Sequence, residues 1–181
     1  MKKINKSRFA LLGMLFDKPR SGYEMRQFML ESTDYFWQES DASMYPMLRL
    51  LEQEGMITGK SELVGKRERK IFEITQKGKD EFLTWMAKPA DKENRRSEFL
   101  LKIFLGATVS KEEIIKQLTL RQQKVRESKK RFERIEVDAL SDVADEHPHK
   151  LFWHMALRYG MISVDAELRW LDECFEILDK K

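Results

Sequence analysis

The sequence predicts a mostly α-helical protein in two parts: a head of three helices, a small two-stranded hairpin and a fourth helix, followed by a wholly helical tail. Three observations carry this reading. Charged side chains make up 36% of the 181 residues while Gly and Pro number only 8 and 4, a balance that favours long solvated helices over turn-rich β-structure. Apolar residues recur at helical spacing over most of the chain, whereas Lys70 to Thr75 alternates in the manner of a strand. A polar break opening with Lys88-Pro89-Ala90-Asp91 divides the chain into residues 1–90 and 91–181.

The first helix is expected at Ser7 to Phe16, with Phe9, Leu12 and Phe16 on one face, and Asp17-Lys18-Pro19-Arg20 ends it. Ser21 and Glu24 have capping-box spacing, in which hydroxyl and carboxylate each satisfy a free N–H at a helix start. They open a second helix, Gly22 to Glu31. A third helix, Asp41 to Glu54, carries Met44, Leu48 and Leu51 at core spacing. Pro46 lacks the N–H of an interior residue, so the spacing places it within the first turn. Gly55 is the expected stop.

Two strands follow, Met56 to Leu63 and Lys70 to Thr75, joined by the basic tip Val64-Gly65-Lys66-Arg67-Glu68-Arg69. Thr75 caps a fourth helix, Gln76 to Ala87, that buries Phe82, Trp85 and Met86. Beyond the break, helices are expected at Ser97 to Leu105, Lys111 to Leu140 and Pro148 to Leu178, with a second capping box at Ser110 and Glu113. The long middle helix has a narrow apolar seam through Leu118, Val125 and Phe132, which calls for a partner helix. The last helix is apolar on more than one face. Leu151, Met155, Ile162, Leu168, Leu171, Phe175 and Leu178 are the expected dimer interface, because one antiparallel neighbour cannot cover that surface.

Composition and motifs exclude several function classes. The net charge of +3 is a small difference between 34 basic and 31 acidic residues, so its distribution must select a partner. The lone Cys174 cannot form an intrachain disulfide, which suits a reducing cytoplasm. Lys2, Lys3 and Lys6 before the run Phe9 to Phe16 imitate a secretory leader, but the run is short and meets a charged segment. No apolar stretch approaches the about 20 residues that cross a bilayer. An enzyme would have to use His147, His149 and His154; the last two are five apart, off a shared helix face, and Pro148 marks a helix start. Neither a phosphate-binding Gly-rich loop nor a nucleophile elbow is present. No enzyme, metal or cofactor is expected.

Helix, helix, helix, strand, basic hairpin, strand, helix is the order of a winged helix-turn-helix, in which the third helix enters the major groove and the hairpin reaches the backbone or minor groove. The candidate DNA-binding residues are Ser43, Tyr45, Pro46 and Arg49 on the third helix. Lys66, Arg67, Arg69 and Lys70 of the wing and Ser21 and Tyr23 at the start of the second helix complete the set. Flexible cations on a projecting loop suit phosphate contact by counterion release. Trp85, Trp153 and Trp170 are candidate effector-binding residues, with Trp37 a further one; aromatic residues at helical spacing more often serve as core. The rival class is a winged-helix module used for protein contacts without DNA.

These segments resemble the PadR family of bacterial transcriptional regulators. Ala10-Leu11-Leu12-Gly13-Met14-Leu15 is similar to its first-helix signature, and Gly22-Tyr23-Glu24-Met25 to its second. Ser43-Met44-Tyr45-Pro46-Met47-Leu48 with Leu51-Glu52-Gln53-Glu54-Gly55 is similar to its recognition helix, and Arg69-Lys70-Ile71-Phe72-Glu73-Ile74-Thr75-Gln76-Lys77-Gly78 to its second wing strand and following turn. Ser21 stands where the family often has His, Leu50 fills an often polar site, and Ile71-Phe72 replaces a frequent aromatic pair. The tail resembles that of the longer subgroup. The resemblance implies a homodimer that represses a nearby promoter and responds to a small aromatic or hydrophobic effector, and the symmetry of such a dimer matches a palindromic operator.

Overall fold

The computed structural model describes residues 5–64, 67–92, 96–140 and 143–180. The chain forms two compact units, Met1–Lys92 and Glu93–Lys181.

In the first unit, α1 (Ser7–Met14), α2 (Gly22–Ser32), α3 (Asp41–Gln53) and α4 (Gln76–Met86) surround a core in which Leu11, Leu12, Met25, Met44, Leu48, Leu51 and Ile57 are fully buried. α1 stops short of Phe16 because its end tightens: the Phe16 N–H donates to the Gly13 carbonyl at 3.2 Å. The Ser21–Glu24 capping box forms in full. Gly55, at φ 71, closes α3 with the two bonds of a Schellman motif, Met56 N–H to the Leu51 carbonyl at 2.8 Å and Gly55 N–H to that of Glu52 at 3.0 Å.

The expected two-stranded wing is present, and one further strand joins its sheet. β2 (Ile57–Val64) and β3 (Arg67–Ile74) pair antiparallel from Ile57↔Ile74 to Val64↔Arg67, and β1 (Arg20–Ser21) adds a third strand on the far side of β3, in the order β1-β3-β2. Two residues carry no periodicity, so this strand exists only through its tertiary pairing with Ile71 and Phe72. Pro46 departs from its expected place. It is the sixth residue of α3 rather than a first-turn residue, so the carbonyl of the exposed Ala42 loses its helical donor on the solvent side.

α4 reaches the head through two close approaches. A Cβ on Gly78 would lie 2.2 Å from the Met56 carbonyl oxygen, and one on Gly13 would lie 3.1 Å from the Phe82 ring. The Trp85 ring stacks on Phe9 at 4.6 Å between centroids. Arg8 joins three elements, donating from Nη2 to Glu54 at 2.8 Å and Glu81 at 3.0 Å.

In the second unit, α5 (Glu98–Phe104) and a 3₁₀ turn at Gly106–Thr108 precede α6 (Lys111–Arg134) and α7 (Lys150–Asp179). α6 is shorter than expected, because residues 135–140 widen into a π-helix. Only half of the second capping box forms: the Ser110 hydroxyl accepts from the Glu113 N–H at 3.3 Å. Leu118, Val125 and Phe132 of α6 are buried, as are Leu157, Val164 and Leu171 of α7. Ion pairs Arg121–Glu167 at 2.6 Å and Lys129–Asp165 at 2.7 Å run antiparallel along the seam. Among the described residues, no helix is long and apolar enough to cross a membrane.

Candidate nucleic-acid interface

α3 is held so that one face is fixed and the other is open. Its start is a reciprocal cap, each of Ser40 and Ser43 accepting the other's N–H at 3.2 Å. Ser43 also donates to the buried Glu39 at 2.7 Å, and Glu39 accepts from the Trp37 indole N–H at 3.0 Å. The loop Trp is thereby tied to the helix start. Met44, Met47, Leu48 and Leu51 lie in the core, while Tyr45, Pro46, Arg49 and Leu50 are exposed. Met47 is a fourth anchor beyond the three the spacing indicates.

The exposed flank of α3 adjoins the start of α2 and the base of the wing. Tyr45 lies across Gly22, where an added Cβ would sit 2.7 Å from the phenol ring. Tyr23 projects outward, 66% exposed. Together with Arg49, Glu52, Arg69 and Lys70, the two tyrosines line an open cleft of about 390 Å³. Arg49 has no acidic partner among the described residues.

Two of the wing cations are paired. Arg69 meets Glu24 at 2.5 Å and donates to the Ser21 hydroxyl at 2.9 Å, and Lys70 meets Glu52 at 2.7 Å. The Ser21 backbone N–H, followed by Arg69, holds the Glu24 carboxyl down at about 2. Ser21 itself is 3% exposed, with its hydroxyl engaged by the Glu24 N–H and by Arg69, so its part at this face is structural rather than an open DNA contact. Half-buried Ser43 is similarly committed to the helix start. Lys66 and the side chain of Arg67 lie outside the described residues. Glu24, Glu52 and the glycines beneath their neighbours were not legible as site residues, since no local spacing marks an ion pair made across a sheet.

Within the second unit, Trp153 and Trp170 lie apart along α7. Trp85 is partly buried and packs against the core of the head, its ring stacked on Phe9. Trp153 sits by the rings of His147 and His149, at 4.8 and 5.8 Å, and Trp170 meets Phe99 edge-on at 6.0 Å. Among the interface candidates, Leu171 is fully buried against α6 and has no surface left for a partner, whereas Leu151, Met155 and Ile162 are 64%, 61% and 56% exposed. Among the described residues, no three His, Cys, Asp or Glu side chains converge on a metal-sized site.

A core-anchored helix with an open polar flank, beside a three-stranded sheet ending in a basic hairpin, defines a winged-helix transcriptional regulator. Comparison with known proteins narrows the class. Residues 11–84 match the model of the transcriptional regulator PadR-like family, and residues 95–179 match the virulence activator alpha C-terminal model. The chain is 29% identical to the negative transcriptional regulator PadR of Bacillus subtilis, over 96% of this chain and 97% of that one. A crystal structure of Bacillus subtilis PadR in complex with operator DNA shares the fold, with a TM-score of 0.84 at 23% identity over 96% and 99% of the two chains. The same protein in complex with p-coumaric acid gives 0.79 at 22% identity over 97% and 99%. A PadR-like transcriptional regulator from Bacillus cereus gives 0.82 at 26% identity over 97% and 99%. Residues 11–84 are thus a PadR-like family domain and residues 95–179 a virulence activator alpha C-terminal domain.

Proposed function

We propose that this regulator is a cytoplasmic repressor that binds a palindromic operator as a homodimer and is released by a small aromatic or hydrophobic effector. The observation that carries the DNA-reading part is the division of α3 into a buried face, Met44, Met47, Leu48 and Leu51, and an exposed flank, Tyr45, Pro46 and Arg49. Residues 1–90 read DNA in this account, with Tyr23, Tyr45, Pro46 and Arg49 toward the groove and Lys66, Arg67, Arg69 and Lys70 toward phosphates. Residues 91–181 dimerise. Support for the dimer comes from α7, where Leu151, Phe152, Met155, Tyr159 and Ile162 are each more than half exposed on one stretch of helix. Two recognition helices about 34 Å apart would match successive major grooves.

The effector part draws on the Bacillus subtilis relative, which has been crystallised both with operator DNA and with p-coumaric acid. An effector acts by preferring a dimer geometry with the wrong helix separation. Trp153 and Trp170 are the tail residues whose fluorescence would report it. A mobility-shift assay on the protein's own upstream region over a salt series tests the reading. Affinity for one palindromic site should fall steeply as salt rises, and phenolic or lipophilic compounds should release the complex. No affinity for any duplex, with the fold intact, would instead favour a protein-contact module. Sedimentation of a stable monomer at micromolar concentration would overturn the dimer.

A further inference from the structure

Two cations at the base of the wing, Arg69 and Lys70, are already neutralised, and the carboxylates that neutralise them come from the two helices of the reading face. Arg69 is bound to Glu24 of α2 at 2.5 Å, and Lys70 to Glu52 of α3 at 2.7 Å. Neither pair is a casual surface contact. One Glu24 oxygen takes Arg69 while the other accepts the Ser21 N–H at 2.8 Å and its hydroxyl at 3.0 Å, so the carboxylate is fixed by three donors much as a bound phosphate would be. The Lys70 stem crosses β2 above Gly59 to reach Glu52. A Cβ on Gly59 would stand 2.1 Å from Lys70 Cε and 2.6 Å from Glu52 Oε1, so the missing side chain is what lets the pair close. Arg49, between them on the same cleft, has no such partner among the described residues.

We infer that Glu24 and Glu52 are specificity-determining residues that act as internal stand-ins for DNA phosphate, occupying Arg69 and Lys70 away from the operator and so holding down affinity for DNA of arbitrary sequence. The inference rests on the DNA-reading assignment above. Exposed ion pairs of this type contribute little stability, about 0–1 kcal/mol each, so an incoming phosphate can displace the carboxylate. The displaced carboxylate then faces the polyanion, and that repulsion is offset only where the α3 flank finds its bases. On random sequence nothing offsets it. Glu24 remains ionised throughout the neutral range, since its carboxyl is held at about 2.

The test measures affinity for an operator duplex and for a random-sequence duplex of equal length over a salt series. The variants are Glu24→Gln, Glu52→Gln and Gly59→Ala, with Glu31→Gln as a charge-matched control at the exposed far end of α2. Glutamine at the third helical position keeps the reciprocal cap, so Glu24→Gln removes charge and preserves the helix start. Gly59→Ala alters no charge and only moves Lys70 off Glu52. Each of the three is expected to raise random-sequence affinity on the order of 3-fold or more and to steepen its log–log salt slope by about 0.9, the increment of one newly available phosphate contact. Operator affinity rises less, so the specificity ratio falls, and the control changes neither. Unchanged or reduced random-sequence affinity with an unchanged slope, or an equal rise in Glu31→Gln, would overturn the inference. Failure of the unaltered protein to bind any duplex is a different result and would overturn the regulatory reading beneath it.

Discussion

Alanine at Leu48 and alanine at its neighbour Arg49 should have opposite consequences, because the two side chains leave α3 toward opposite environments. Leu48 is 1% exposed and belongs to the core shared by α1, α2, α3 and the sheet. Truncating it removes buried carbon from a site that cannot fully collapse, at a cost of about 2–5 kcal/mol. In a head of this size each 1 kcal/mol lowers the melting temperature by about 4–8 °C, so a fall of about 8 °C or more is expected. Arg49 is exposed and without an acidic partner among the described residues, so its truncation should change stability by less than about 0.5 kcal/mol. If its guanidinium reads a base edge, operator affinity drops by about 1–3 kcal/mol, roughly 5- to 150-fold. Urea unfolding followed by circular dichroism and a mobility shift on the same preparations separate the two effects. Arg49→Ala that destabilises the fold, paired with a thermally neutral Leu48→Ala, would mean α3 is rotated from the orientation described.

Three further outcomes follow from the same geometry. Gly78→Ala should destabilise the head by at least about 1–3 kcal/mol, since its Cβ would meet a backbone carbonyl, the Met56 oxygen at 2.2 Å, rather than a movable side chain; thermal melts check it. Glu24 links stability to acid. Its carboxyl lies at about 2 in the folded protein against an ordinary 4.5, so its contribution is complete above 4.5 and is lost as pH falls through about 2. That depression corresponds to about 3 kcal/mol, which screening of a side chain 46% exposed reduces to about 1 kcal/mol. The stability gap between wild type and Glu24→Gln, measured by urea unfolding from pH 7 downward, should therefore close in acid. Met155→Asp combined with Ile162→Asp places charge on two exposed apolar positions of α7, and should yield a monomer with intact helicity and weakened operator binding, read by sedimentation and mobility shift.

What the sequence made legible was local chemistry. The Ser21–Glu24 cap, the Gly55 stop and the narrow seam through Leu118, Val125 and Phe132 each follow from spacing within one or a few turns, and each appears in the structure. The misread positions depend on partners distant in sequence. β1 has two residues and no pattern of its own; only Ile71 and Phe72 make it a strand. Pro46 sits in the second turn because the exposed side of α3 tolerates one lost hydrogen bond. Nothing in the spacing of Arg69 and Lys70 indicates that the sheet register delivers each to a carboxylate on a helix. Trp85 and Leu171 illustrate the ambiguity of apolar residues on amphipathic helices: periodicity says that a face is buried, but not whether against the chain itself or something else.

Hydrogen–deuterium exchange of the full protein, alone and saturated with its operator duplex, addresses the central claim most directly. Amides of α3 near Tyr45 to Leu50, the first turn of α2 and the facing ends of β2 and β3 should gain protection on binding, together and at one duplex per dimer. Protection confined to α6 and α7, with α3 and the wing exchanging as in the free protein, would contradict it.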